Sequence, residues 1–232
     1  MNKVITIVIP CKNEKQNIIN VLKLIFKQNL NCQIIIADSS DDKVSFKLLY
    51  DFVEQSNKPI KIIKGGLPST ARNNGAKLVK TPYILFLDAD IFILKESFIK
   101  DCLATAIKND YDLITCKFKT IGGEYDYVYR IFDIIQKVTA VSRPFALGGV
   151  MLFKTQTFNK LGGFNEEDKI AEDYRLSMQI QSKKFKVVSD HVYTSPRRFK
   201  NKGLGYMIKI MILSWWNRNN KDWFKNDQGY WV

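Results

Sequence analysis

At 232 residues, 46% of them apolar with 15 Phe, 10 Tyr and 4 Trp, the chain can bury a sizeable core and is not an intrinsically disordered segment. The 36 Lys and Arg against 23 Asp and Glu leave a formal charge of +13, which attracts something anionic: nucleic acid, lipid headgroups or phosphorylated small molecules. No apolar run reaches the roughly 18 residues of a membrane span, and Met1-Asn2-Lys3 leads into a strand-like segment rather than a signal peptide, so a cytoplasmic protein is expected.

Residues 4–10 are β-branched and almost wholly apolar, the pattern of a central parallel strand. Residues 14–28 follow with Ile18, Val21, Leu22, Ile25 and Phe26 at helical spacing. A second buried strand is predicted over 33–37 and a second helix over 43–55, with Phe46, Leu49, Tyr50 and Val53 on one face. Residues 59–63 make a third short strand. A helix over 69–79, opened by Ser69 or Thr70, is separated by Thr81-Pro82 from a strand over 83–87. A helix over 95–108 and a strand over 112–116 complete the series. This alternation predicts an α/β fold, a mostly parallel sheet with helices on both faces.

Beyond about residue 118 the rhythm breaks. Gly122-Gly123 makes a turn, residues 125–141 read as a helix, and Gly148-Gly149 precedes a short apolar stretch over 150–153. Short helices are expected over 155–161, closed by Gly162-Gly163, and over 171–182, with strand-like pieces over 185–189 and 191–194. The tail mixes Trp215, Trp216, Trp223 and Trp231 with basic residues. The chain therefore divides into a nucleotide-type half, 1–118, and a substrate-type half, 119–232, within one domain. Cys11, Cys32, Cys102 and Cys116 are too widely spaced for a Cys-x-x-Cys pair and read as reduced thiols.

In open α/β sheets ligands bind beyond the carboxyl ends of the strands. There the chain places Pro10-Cys11-Lys12-Asn13-Glu14, Asp38-Ser39-Ser40-Asp41-Asp42 and Asp88-Ala89-Asp90. Asp88 and Asp90 lie between two apolar runs, where two carboxylates are costly unless paired or bound to a cation. Their spacing suits Mg²⁺ or Mn²⁺ shared with a diphosphate, the alternative being a solvated turn. Gly-x-Gly-x-x-Gly and the P-loop pattern are both missing, so phosphates would be held by metal and by basic side chains such as Arg72.

These segments resemble the family 2 glycosyltransferases, inverting enzymes of the GT-A fold. The resemblance is carried by Ile7-Val8-Ile9-Pro10 with Asn13-Glu14, Ile36-Ala37-Asp38-Ser39-Ser40-Asp41, Ala71-Arg72-Asn73-Asn74-Gly75 and Phe86-Leu87-Asp88-Ala89-Asp90. It continues through Gly148-Gly149, Leu161-Gly162-Gly163-Phe164-Asn165-Glu166 and Glu172-Asp173-Tyr174-Arg175-Leu176. What it implies is a nucleotide-sugar donor, UDP- or GDP-linked, with Pro10, Asn13 and Glu14 lining the nucleotide pocket and Asp38 accepting from the base. Arg72 would lie near the base or diphosphate, Asp88 near ribose or metal-bound water, and Asp90 on the metal. Gly148, Gly149 and Glu172 would lie on the acceptor side, with Asp173 as the catalytic base.

The base assignment fits inverting transfer, in which a carboxylate takes the acceptor hydroxyl proton as its oxygen attacks opposite the leaving diphosphate. Ordinary first-turn helix acidity is the plain alternative for Glu172-Asp173. The Gln-x-x-Arg-Trp motif of processive members is missing. Instead Ser195-Pro196-Arg197-Arg198-Phe199 resembles the arginine-bearing segment of short nonprocessive members, so Arg197 and Arg198 are candidate diphosphate ligands or a solvated basic turn. His191, the single histidine, is a candidate third metal ligand or a structural residue. The acceptor is expected to be a glycan or a lipid-linked molecule. The basic, aromatic tail from Tyr206 to Trp231 either lies on an anionic membrane surface, at the cytoplasmic face, or packs on the domain's own core. Rival readings are a nucleotidyltransferase making nucleotide-sugars, a nucleotide-sugar binder without catalysis, and a nucleic-acid module. The last is disfavoured by scattered lysines and the lack of any recognition motif, so no specific nucleic acid is expected as a partner.

Overall fold

The computed structural model describes residues 3–228; Trp231 lies outside them. The elements run β1 (Ile5–Cys11), α1 (Gln16–Lys27), β2 (Cys32–Asp38), α2 (Lys43–Gln55), β3 (Ile60–Lys64), α3 (Pro68–Ala76), β4 (Tyr83–Leu87), β5 (Ile91–Phe92) and α4 (Phe98–Asn109). They continue with β6 (Leu113–Thr120), α5 (Asp126–Thr139), β7 (Val150–Lys154), α6 (Thr155–Lys160), α7 (Glu172–Ser177) and β8 (Phe185–Thr194). The last are α8 (Arg197–Lys202), α9 (Leu204–Trp216) and α10 (Lys221–Lys225). No helix among the described residues is long and apolar enough to cross a membrane.

The strands form one eight-stranded sheet in the order β3-β2-β1-β4-β7-β6-β8-β5. The first four are mutually parallel, with β1 buried between β2 and β4, as an apolar, β-branched strand requires. The other half is mixed. β7 is antiparallel to both β4 and β6, β8 is parallel to β6, and β5 is antiparallel to β8. Topology explains β7: it begins at Val150 opposite Leu87, the last residue of β4, so the chain enters the sheet from the edge where the parallel strands end. The parallel expectation therefore holds for β1 to β4 and is replaced by mixed pairing beyond β4.

Alternation along β1 builds two cores. Ile5, Ile7 and Ile9 face Ile18, Val21 and Leu22 of α1 and Phe98, Ile99 and Cys102 of α4. Val8 faces the other way, where Ile84 and Phe86 of β4 meet Phe158, Phe164 and Leu176. A third cluster, Val128, Phe132, Phe145 and Phe199, collects α5, α8 and the Met207 and Met211 side chains of α9.

Three predicted elements differ. The third helix opens at Pro68, with extended Leu67 before it and no side-chain cap; proline suits the first helical position, where its missing N–H would have no helical partner. Ser69 is buried instead, its hydroxyl directed at the Asp168 carbonyl. The helix expected over 171–182 stops at Ser177, whose hydroxyl donates to the Asp173 carbonyl four residues back. The two strand-like pieces at 185–194 are one strand. Its register against β6 jumps between Thr115↔Val187 and Lys117↔His191, so the intervening residues of β8 bulge out and interrupt the apolar alternation.

Helix α3 lies close against β1. A Cβ at Gly75 would stand 2.3 Å from Val8 Cγ1, and Val8 is fully buried. Gly75→Ala should therefore destabilise the fold by ~1–3 kcal/mol through overpacking, despite the ~1 kcal/mol helix-propensity gain of alanine. Val8→Ala in the same chain should return part of that loss. Urea melts of the two single variants and the double variant measure the coupling, and a Gly75→Ala protein as stable as the parent would contradict the packing described.

Candidate active site

The carboxyl ends of β1 and β2 are in register, Cys11 opposite Asp38, and the loops beyond them are tied together. Asn13 adopts a left-handed backbone conformation (φ 54°). Its side-chain oxygen accepts from the N–H groups of Asp41 and Asp42 at 3.1 Å each, and its Nδ2 donates to Asp41 at 2.6 Å. Asp38 Oδ1 accepts from both the N–H (3.0 Å) and the hydroxyl (2.7 Å) of Ser40. Pro10 sits on the same rim, at the penultimate position of β1. Glu14 accepts from Arg197 at 2.6 Å, which brings the start of α8 across to the β1 loop, 183 residues away in sequence.

Asp88, Ala89 and Asp90 form a tight turn after β4, closed by the Ile91 N–H donating to the Asp88 carbonyl at 3.2 Å. The Asp88 N–H donates to the Gly149 carbonyl at 3.1 Å, fixing the triplet to the start of β7. Burial, then the charges of Asp88 and Glu14, push the Asp90 carboxyl up to about 6, against the opposing pull of Arg198 and Arg197. Asp88 and, from the β1 rim, Glu14 make the Asp90 charge costly, and a divalent cation held there would relieve that cost while leaving coordination positions for phosphate oxygens. The donor set therefore fits Mg²⁺ or Mn²⁺ held by Asp90 and Asp88.

His191 does not join them. Ile91 lies opposite Thr194 and Phe92 opposite Tyr193, so β8 leads away from the triplet on going back to His191. Three residues of strand put His191 roughly 10 Å from Thr194, and its Nε2 lies 3.1 Å from the Tyr193 hydroxyl. Among the described residues no three His, Cys, Asp or Glu side chains converge to hold a metal. The third-ligand expectation is thus corrected: a histidine near the right place in sequence sits at the wrong place on its strand.

Arg72 connects the two halves. Only 3% of this side chain is exposed, and its guanidinium donates to Asp88 at 2.7 Å and to Glu172 at 2.6 Å. It also lies over the Phe164 ring, 5.3 Å from the centroid. Burial opposes its charge, but Asp88, Glu172 and Asp173 outweigh that and hold it protonated. Arg72 is therefore spent on the scaffold through these two nitrogens. Its neighbour Asn73 clamps the loop before α7, accepting from the Phe164 N–H at 3.0 Å and donating to the Phe164 carbonyl at 2.8 Å.

Asp173 follows Glu172 at the start of α7, and both its oxygens are held by backbone. The Gly148 N–H donates to Oδ2 at 2.5 Å and the Tyr174 N–H to Oδ1 at 2.7 Å. A Cβ at Gly148 would stand 2.8 Å from Asp173 Oδ2, so only glycine lets the backbone come this close. Burial and the adjacent Glu172 raise the Asp173 carboxyl well above the ordinary carboxylate range, with Arg72 pulling the other way. Ala171, just before, is itself left-handed (φ 50°, ψ 34°), a strained conformation for a residue with a Cβ.

These groups open into one cavity of about 740 Å³. Arg72, Asp88, Asp90, Asp173 and Arg198 supply its polar end, and Phe118, Tyr129, Phe132, Phe145, Ile210 and Met211 its apolar walls. Gly148, Gly149 and Glu172 line it as well, whereas Pro10, Asn13, Glu14 and Asp38 lie along the separate rim of β1 and β2. A part-buried carboxylate of raised pKa beside two further carboxylates can remove a proton, if a cation on that pair takes up the negative charge that leaves on the other side. Sequence reasoning assigned no role to Asn73 or Phe164, although both lie inside the quoted segments. The cavity walls drawn from β6, α5 and α9 carry no motif that would have announced them; only the α8 contribution, Arg198 and Phe199, lies in a quoted segment.

Residues 6–162 match the family model described as glycosyl transferase family 2. The poly(ribitol-phosphate) beta-glucosyltransferase of Bacillus spizizenii is 27% identical over 201 residues, 82% of this chain and 31% of that protein, so the chain spans about a third of this relative. A mannosyltransferase from Pyrobaculum calidifontis, solved with GDP-Man and Mn²⁺, superposes with a TM-score of 0.69 at 14% identity, covering 92% of this chain and 65% of that one. TarS of Staphylococcus aureus, solved with UDP-GlcNAc, gives 0.65 at 20% identity, covering 84% and 58%. The architecture these structures share is the expected GT-A fold. With the family model matched over residues 6–162, more than half of its length, this chain belongs to glycosyl transferase family 2.

Proposed function

We propose that the chain is an inverting glycosyltransferase that moves a sugar from a UDP- or GDP-sugar to an acceptor hydroxyl in one displacement. The observation that carries this reading is the Arg72 bridge. It joins the Asp88 end of the carboxylate pair to Glu172, next to a backbone-held Asp173 at the polar end of the cavity. Residues 1–118 supply the donor side and residues 119–232 the acceptor side. The solved structures that resemble this chain hold a GDP-sugar with Mn²⁺ in one case and a UDP-sugar in another, which supports both donor classes.

In this reading Asp38 accepts from the nucleobase, Pro10, Asn13 and Glu14 line the nucleoside, and Asp88 lies toward the ribose. Asp90 binds Mn²⁺ or Mg²⁺, whose charge, when bound, stabilises the leaving diphosphate. Arg197 and Arg198 face the same negative charge, close enough to Asp90 to moderate its carboxyl. The acceptor oxygen attacks the anomeric carbon from the cavity side, the bond to the diphosphate oxygen breaks, and the hydroxyl proton passes to Asp173. The Gly148 and Tyr174 N–H groups hold that carboxylate in a single orientation during the transfer.

A panel of UDP- and GDP-sugars with Mn²⁺, read by thermal shift and nucleoside diphosphate release, tests the class. No stabilisation and no release with any donor would sink it. Asp90→Ala should abolish metal-dependent donor binding. Asp173→Asn should keep binding and lower transfer by about 10²–10⁴-fold, the usual contribution of a general base. Full transfer activity in both variants would show the assignment to be wrong.

The pH profile gives a separate check. Asp173 works only when ionised, and its pKa is raised, so transfer should climb with pH along a limb lying above the ordinary carboxylate range. Glu172→Gln removes a charge that raises that pKa, so the limb should move to lower pH. A limb that stays in place, or moves up, would contradict the coupling.

A further inference from the structure

Helix α5 is apolar on two sides. Val128 and Phe132 face the third core cluster, while Ile131, Ile134, Ile135 and Val138 recur at i, i+3, i+4 and i+7 on the outside. Ile134 is 64% exposed and Val138 70%, and Val141, just past the helix end, is 83% exposed. Helix α9 repeats the arrangement, burying Ile210 and Ser214 and exposing Ile208, Ile212, Trp215 and Trp216. Soluble monomers rarely leave this much contiguous aliphatic and indole surface in water.

Two further observations say what covers it. Ile135, Ile212 and Trp215 belong both to the exposed surface and to the wall of the cavity that ends on Asp173, so the cavity opens through this face. Beyond the two active-site arginines, residues 199–221 carry five Lys and Arg and no Asp or Glu. Apolar helices with a basic surround and paired tryptophans suit an interface of acyl chains below and anionic headgroups above.

We propose that α5 and α9 together dock this chain on an anionic lipid bilayer, and that the cavity takes an acceptor with an apolar chain directly from the lipid. The inference rests on the glycosyl-transfer reading for the identity of the acceptor site. The docking face itself comes from the two helices. The acceptor's hydroxyl then reaches Asp173 while its hydrocarbon lies along Phe118, Phe132 and Ile210.

The test uses the full chain and the double variant Ile134→Asp/Val138→Asp, whose positions are exposed and outside the reacting site. In flotation with vesicles of phosphatidylglycerol in phosphatidylcholine, the parent should float and the variant should float about tenfold less. Both should release nucleoside diphosphate from donor in buffer at the same rate, which separates a failure of docking from a failure of glycosyl transfer. Equal flotation of parent and variant, or a parent that turns over donor and never floats, would overturn the proposal. So would a parent dimer that the variant dissociates without any flotation, since a second copy would then cover the face. For the cavity, 1-decanol should raise the melting temperature of both proteins by several degrees where 1-butanol does not. Equal shifts from the two alcohols, or none, would remove the acceptor half of the proposal.

Discussion

A guanidinium removed from water is an expensive object, and this fold keeps one at its centre. Arg72 reaches Asp88 at the end of β4 and Glu172 at the start of α7, with the Phe164 ring against its plane. Desolvating three ionised groups costs several kcal/mol each unless their mutual attraction and hydrogen bonds offset it. Here the two carboxylates take separate nitrogens of one rigid fork, which a lysine could not reproduce. Removing any partner would leave the others buried and unbalanced. The triplet, the α7 turn and the loop between them therefore hold their positions together.

The surroundings of Arg72 extend the same constraint. Asn73 binds both backbone groups of Phe164, and Gly75 lets the helix settle onto Val8 of β1. Three neighbouring positions of one short helix thus fix a sheet strand, a loop and a second helix. On the opposite wall, Gly149 receives the Asp88 N–H while Gly148 gives its own N–H to Asp173. The entry into β7 acts as the second hinge point of the site, because its antiparallel course brings adjacent glycines beside both carboxylates.

What could be read from the sequence was whatever depends on local pattern. Parallel strands β1, β2 and β4 declared themselves as buried apolar runs, and their ends held the polar groups that an α/β sheet gathers there. The direction of β7 was not readable, since Val150–Lys154 is an apolar run like the others and only the position of its entry decides its pairing. His191 was misjudged for a related reason: linear distance along the chain says nothing of the β8 register that carries it away from Asp90. Arg72 was expected to face phosphate, yet its two carboxylate partners come from positions 16 and 100 residues away, a coincidence only tertiary structure creates. The cavity is the extreme case, its apolar walls drawn mainly from β6, α5 and α9, which carry no motif.

Ala171 carries one more implication. It holds a left-handed backbone conformation immediately ahead of Glu172 and Asp173, at a cost on the order of 1 kcal/mol for a residue with a side chain. Glycine there would relax the turn, and a more thermostable protein is an easy gain at such a site. But relaxation would also enlarge the set of angles from which α7 can start, and both carboxylates ride on that angle. A glycine at this one position would therefore trade a firmly aimed α7 for a less strained turn.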